Sequence, residues 1–280
     1  MFFTFFAFVF FLSLNSFAEN DNCLKNNTPQ ENKQEADSDY QKPTCINIKP
    51  HTAEYKISLV KNNNPDVQDV VGSLVITIRE SDGYISEQHS ILEIRYNDGS
   101  KDDFETFIAS WESKDQKRYH FNLKTSQNKE EEVTIRGKAT LDGNKKEVIY
   151  QIPDNQKISL PENTVFPLHL LKSLVEDGLN KKTARSSIVF DGSNETFTVL
   201  QVDSMIQPFT SKIKINGVSD LNLTDAFLIQ MAVSDPLDKN MDPSYITSQV
   251  VQKDGIILSL EMEFPEIGFT TKAQLVKVNL

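Results

Sequence analysis

"HTAEYKISLV", residues 51–60, places Ala53, Tyr55, Ile57 and Leu59 on one side of an extended chain and Thr52, Glu54, Lys56 and Ser58 on the other. Alternation of period two over such a length predicts a β-strand with one face in a core and one in water. The same pattern returns in "SLVITIR" (Leu74, Ile76, Ile78), "EVTIRGKATL" (Val133, Ile135, Ala139), "KEVIYQI" (Val148, Tyr150, Ile152) and "SKIKINGV" (Ile213, Ile215). Seven of the ten glycines directly follow Asp or Asn: Gly83, Gly99, Gly143, Gly178, Gly192, Gly217 and Gly255. Such dipeptides suit tight hairpin turns. Six of the seven lie between strand-like runs, so the sequence predicts a mainly β, antiparallel protein.

One stretch breaks the rhythm. In "FPLHLLKSLVEDG", residues 166–178, apolar residues recur near period 3.6, which predicts a helix. Thr164 is the expected N-cap, Pro167 suits the first turn, and Gly178 the left-handed C-terminal cap. Glu176 and Asp177 oppose the helix dipole, a misfit of roughly 0.3 kcal/mol. A helix this short is not stable alone. Leu168, Leu171, Leu174 and Val175 must therefore cover apolar surface from the strands, either as a lid or plug on a curved sheet or as an ordinary core helix. With Lys172 its only basic residue, it does not read as a membrane-surface helix.

The chain opens on "MFFTFFAFVFFLSLNSFA", eight Phe in eighteen residues without a charge. It reads as a secretory signal peptide, residues 1–18, with Ser16 and Ala18 ahead of cleavage at Glu19. Residues 19–48 are dominated by Asn, Gln, Glu, Lys and Asp, and so read as a disordered polar leader. The rest, 49–280, carries no linker or repeat and is assigned to one domain. Cys23 and Cys45, the only two cysteines, both lie in the leader. In an oxidising compartment they could close a loop worth ~3 kcal/mol, tethering a tail and not a core.

With 29 basic against 40 acidic side chains, a net charge of −11, nucleic acid is excluded as a partner class, since phosphate neutralisation needs clustered cations. His51, His89, His120 and His169 fall at no metal-ligand spacing, and HExxH, CxxC, G-x-S-x-G and phosphate-binding glycine loops are absent. Asp235, Asp238 and Asp242 lack the spacing, glycine and closing glutamate of a calcium loop. Adjacent acids such as Asp102 and Asp103 select no glycosidase pair. No catalytic, cofactor or metal residue is assigned, and the chain is not read as an enzyme.

Three segments carry a resemblance: "HTAEYKISL", which fits a His-x-Ala-x-Tyr-x-x-x-Leu start; "FPLHLLKSLVEDG" followed by "SSIVFDGS"; and "GFTTKAQLVKV" near the end. In this order they resemble the EipB-like proteins, periplasmic β-spiral proteins linked to cell-envelope integrity in alphaproteobacteria. The resemblance implies a single strongly bent antiparallel sheet, half-barrel-like, wrapped around one principal amphipathic helix, in the periplasm of a Gram-negative bacterium. Relatives commonly join a cysteine ahead of an early Gly-Tyr to another near the C-terminus. Here "ESDGY" has Ser81 and "LVKVNL" has no cysteine, so that bridge is missing. The function expected is non-enzymatic support of the envelope by a monomer that binds a periplasmic or envelope protein. A carrier of lipid or lipoprotein cargo is the alternative, and a glycan hydrolase a more distant one.

Overall fold

The computed structural model describes residues 46, 48–129, 131–143, 145–153, 156–193, 198–210, 225–240 and 242–280. The signal segment, most of the leader, Cys23, Cys45, Ile213, Ile215 and Gly217 lie outside the described residues. Eight strands come first: β1 (His51–Asn62), β2 (Val67–Glu80), β3 (Gly83–Tyr96), β4 (Lys101–Ser113), β5 (Arg118–Gln127), β6 (Glu131–Asp142), β7 (Lys145–Ile152) and β8 (Lys157–Ser159). After β9 (Thr164–Val165) comes α1 (Pro167–Leu179). Six more strands follow: β10 (Ala184–Val189), β11 (Leu200–Phe209), β12 (Ala226–Ser234), β13 (Pro243–Gln252), β14 (Ile257–Phe264) and β15 (Phe269–Asn279).

The fifteen strands of the described residues belong to one sheet, in the order β8-β7-β6-β5-β4-β3-β2-β1-β15-β14-β13-β12-β11-β10-β9. Neighbours are antiparallel except β9 and β10, which are parallel and joined through α1 as a crossover. The curvature follows from chain length. Laid flat, the edge strands β8 and β9 would stand about 65 Å apart, at ~4.8 Å per strand spacing. Residues 160–163 alone connect them, and five Cα steps from Ser159 to Thr164 reach at most about 18 Å. The sheet must curl until its two edges nearly meet, yet they do not pair, so the spiral stays open.

Two apolar clusters fill the concave side. The larger draws mostly on β1, β2, β10–β15 and α1 (Ala53, Tyr55, Ile57, Leu74, Ile76, Leu174 and Val175 among them); the smaller joins Tyr119, Phe121, Ile135, Ala139, Val148 and Tyr150 to Phe166 and Phe190. Between them the inner face of β3 and β4 is polar. Tyr84, Ser86, Gln88 and Ser90 line β3 and Thr106, Ser110 and Glu112 line β4, all buried, with Tyr84 opposite Glu112, Ser86 opposite Ser110 and Ser90 opposite Thr106. Thr106 hydrogen-bonds Thr125 of β5 at 3.2 Å, closing one rung of this band.

Four local expectations need correction. Thr164 is a strand residue of β9, and the N-cap position is Phe166, without a side-chain cap. Gly178 does not end the helix, which runs to an Asn180 C-cap with Lys181 in the left-handed region. Glycine is required at 178 because a Cβ there would lie 2.6 Å from Phe227 Cδ1. Ile152 is 36% exposed, since a bulge between Arg136 and Gly137 puts it opposite the outward-facing Arg136. Finally, the packed chain begins ahead of residue 49. Ile46 and Ile48 are buried in the larger cluster, and the Lys49 N–H donates to the Asp254 carbonyl at 3.0 Å.

Candidate functional site

The first turn of any helix leaves backbone N–H groups without intrahelical acceptors. Phe166, extended at φ −88° and ψ 160°, offers no side-chain acceptor. The acceptor comes instead from β4: Glu112 Oε2 receives the Leu168 N–H at 3.3 Å. Glu112 is wholly buried, and a carboxylate at this end complements the helix dipole.

Beside it, Tyr119 of β5 stacks on the Phe166 ring at 5.1 Å and donates its hydroxyl to the Asp191 carbonyl at 2.9 Å. Burial pushes the Tyr119 phenol well above its ordinary range; the Asp191 charge adds to this, a hydrogen bond with Ser110 opposes it, and Glu112 contributes a little more. Asp191 sits in Phe190-Asp191-Gly192-Ser193, where its carboxylate accepts the Ser193 N–H at 3.0 Å and also the Ser193 hydroxyl. Its own pKa is raised by burial. Tyr150 of β7 and Tyr245 of β13 are raised as well, first by burial and then by Asp191. The Asp191 charge thus acts on tyrosines from both arms of the spiral, and Tyr119 also bonds its backbone.

At the other end of α1, Asp177 is met by Arg185 Nε at 2.6 Å and Lys182 Nζ at 3.1 Å, which offsets its unfavourable place near a helix C-terminus. Glu176 accepts the Ile46 N–H, tying the incoming chain to the helix. His169 is pushed down to about 4 by burial first and then by Arg185 and Lys172, so it is neutral at neutral pH. Leu168, Leu171, Leu174 and Val175 are all buried; the last three join the larger cluster together with Leu170, another of the periodic apolar positions of this stretch.

The other titratable residues considered in the sequence remain dispersed. His51 hydrogen-bonds the Lys49 carbonyl at 2.7 Å, His89 meets Glu105 at 2.7 Å, and His120 lies 4.9 Å from the Trp111 ring. Asp235 and Asp238 each accept a backbone N–H two residues ahead, as turn residues do. Asp102 accepts hydrogen bonds from Tyr96 and Asn128, and Asp103 pairs with Lys101. Among the described residues no three His, Cys, Asp or Glu side chains group as metal ligands. The buried acids Glu112 and Asp191 were missed as individuals. The only hint was that Glu112 shares inward parity with Phe104 and that Asp191 lies within the "FDGS" segment.

A single sheet spiralling around a buried helix, open along one seam and locked at the helix N-terminus, defines a β-barrel-like class. The chain belongs to the EipB-like family, whose model matches residues 43–280. Membership suggests a periplasmic, envelope-related protein. The structure is similar to the crystal structure of a beta-barrel-like protein of a domain of unknown function, DUF1849, from Brucella abortus. The likeness has a TM-score of 0.75 at 19% identity and covers 84% of this chain and 98% of that one. It shows the shared fold. No curated protein matches the chain. Among the described residues no helix is long and apolar enough to cross a membrane.

Proposed function

We propose that the chain is a non-enzymatic periplasmic protein that supports cell-envelope integrity by binding a protein or another envelope component, as a monomer. The observation carrying this reading is the use made of the interior acids. Glu112 caps α1 and Asp191 closes its own turn, so the buried carboxyls hold the scaffold and leave contact to the outer surface. A strain lacking the gene should be sensitive to detergent stress and be rescued by Glu112→Gln and Asp191→Asn variants in proportion to their folded amount. A variant present and folded at the wild-type level that fails to rescue would assign these carboxyls a chemical role and overturn the proposal. So would a deletion strain with an unaltered envelope.

A second reading, a carrier of lipid or lipoprotein cargo, is favoured by the buried hydroxyls of Ser86, Ser204 and Thr247. They face the concave side and have no hydrogen-bond partner among the described residues. Amphipathic cargo could use such groups between apolar walls. Native mass spectrometry of residues 19–280, purified without detergent, would then show an adduct of lipid mass that Leu171→Asp removes. A bare mass rejects it.

A further inference from the structure

The convex face of β4–β7 carries a cluster that an acidic protein would not gather by default. Pairing register puts Trp111 opposite His120, His120 opposite Lys138 and Lys138 opposite Ile149; Asn122 faces Arg136 one step along, and Arg118 lies diagonal to Lys138. Arg118, His120, Arg136 and Lys138 are all exposed. Directly opposed or diagonal like charges destabilise a sheet. Among the described residues Arg136 and Lys138 form no ion pair, while Arg118 feels the Asp115 charge without forming one and lies over the Trp111 ring at 5.4 Å.

The acids around them already hold other partners: Asp115, whose charge reaches Arg118, accepts the Ser113 hydroxyl and the Lys117 N–H at 3.2 Å. Glu132 holds Lys124 at 3.0 Å, Glu147 holds Lys157 at 2.5 Å, Glu87 holds Arg79 at 2.6 Å, and Asp82 accepts the Trp111 Nε1–H at 3.3 Å. His120 is held below its ordinary range first by desolvation of its partly covered ring and then by the Lys138 and Arg118 charges. Exposed Ile149, at 46%, and Ile152 adjoin the cations.

We infer that this convex face, centred on Arg118, Arg136 and Lys138, docks the protein onto an anionic phospholipid surface. The proposal deepens the envelope-binding reading above and rests on it for the source of the anion. An extended acidic peptide needs a groove or a free strand edge for its backbone, and this patch is the middle of a paired face. Cations beside exposed aliphatic groups instead suit a planar array of phosphates over a hydrocarbon boundary. The net charge of −11 does not forbid this. At about 0.15 M salt, charges more than ~8 Å from the contact are largely screened.

Cosedimentation with vesicles of phosphatidylglycerol and phosphatidylcholine tests the inference, with pure phosphatidylcholine as reference. The chain should bind only the anionic vesicles, more tightly at about 0.01 M than at about 0.15 M salt. Lys138→Gln should weaken binding about fivefold and Arg136→Gln/Lys138→Gln roughly 25-fold. Lys56→Gln, an exposed cation of β1, should leave it unchanged. Exposed changes of this kind alter stability by no more than ~0.5 kcal/mol, so lost binding would not reflect unfolding. No binding to anionic vesicles, or equal binding by the double variant, overturns the inference. Binding to immobilised poly-glutamate as tight per charge as to the anionic vesicles assigns the face to an acidic protein, and equally tight binding of soluble glycerol phosphate assigns it to a free anion; either also overturns it. The vesicle assay can fail while the rescue experiment succeeds, so the two proposals stand or fall separately.

Discussion

Gly192→Ala tests how the Asp191 turn locks the spiral. Gly192 has φ +75°, where an L side chain is strained by about 1–2 kcal/mol. A Cβ there would also fall well inside van der Waals contact of the Phe121 ring. That ring cannot retreat, since Phe121 is 3% exposed and packs edge-on against Tyr150 and Phe190, both at 5.5 Å. Overpacking of this kind costs about 1–3 kcal/mol, so the two effects together should cost about 2–5 kcal/mol. Gly99→Ala is the control: φ is +87° but nothing lies within 4 Å of its Cβ, leaving about 1–2 kcal/mol of strain alone. Urea denaturation of both variants should show an unchanged slope and a larger midpoint shift for position 192. Adding Phe121→Leu to Gly192→Ala should recover part of the excess. Equal losses at 99 and 192 would refute the ring contact and with it the account of why glycine follows Asp191.

Other expectations follow from single contacts. Glu112→Ala should lower stability by about 1.5–3 kcal/mol through loss of the Leu168 N–H acceptor, and unaltered thermal unfolding would show that the helix does not depend on it. His169 titrates near 4 in the fold and near 6.5 unfolded, so the unfolded chain binds protons more tightly and stability should fall as pH drops from about 6.5 to about 4. His169→Gln should remove up to ~3 kcal/mol of that fall, measurable as the difference between the two stability profiles; parallel profiles would contradict the assignment. Ile48→Ala should cost about 2–5 kcal/mol in chemical denaturation, whereas a free N-terminal leader would lose nothing.

The strands legible in the sequence are those whose inward positions are apolar. In β1 and β2, Ala53, Tyr55, Ile57, Leu74, Ile76 and Ile78 are all buried as their alternation predicts. β3 was not recognised, because its inward residues Tyr84, Ser86, Gln88 and Ser90 are polar while Ile85 and Ile91 face outward, which inverts the usual signal. Local propensity located α1 but not its cap. Thr164 satisfied the local rule, whereas the acceptor actually used lies 56 residues upstream on another strand. The convex cations were equally invisible: Arg118, Arg136 and Lys138 become neighbours only through the β5–β6 register.

The place of β1 in the sheet bears on how the chain can be made. Its two neighbours are β2, which follows at once, and β15, paired from Thr52–Asn279 to Asn62–Phe269 after every other strand has been synthesised. A nascent chain emerging N-terminus first can build β1 to β8 as a meander, but β1 remains an open, pairing-competent edge throughout. Closure awaits a contact of very long sequence separation, the kind that makes folding slow and intermediates prone to aggregate. A premature stop that removed only β15 would split the sheet at its midpoint and leave its two rims intact.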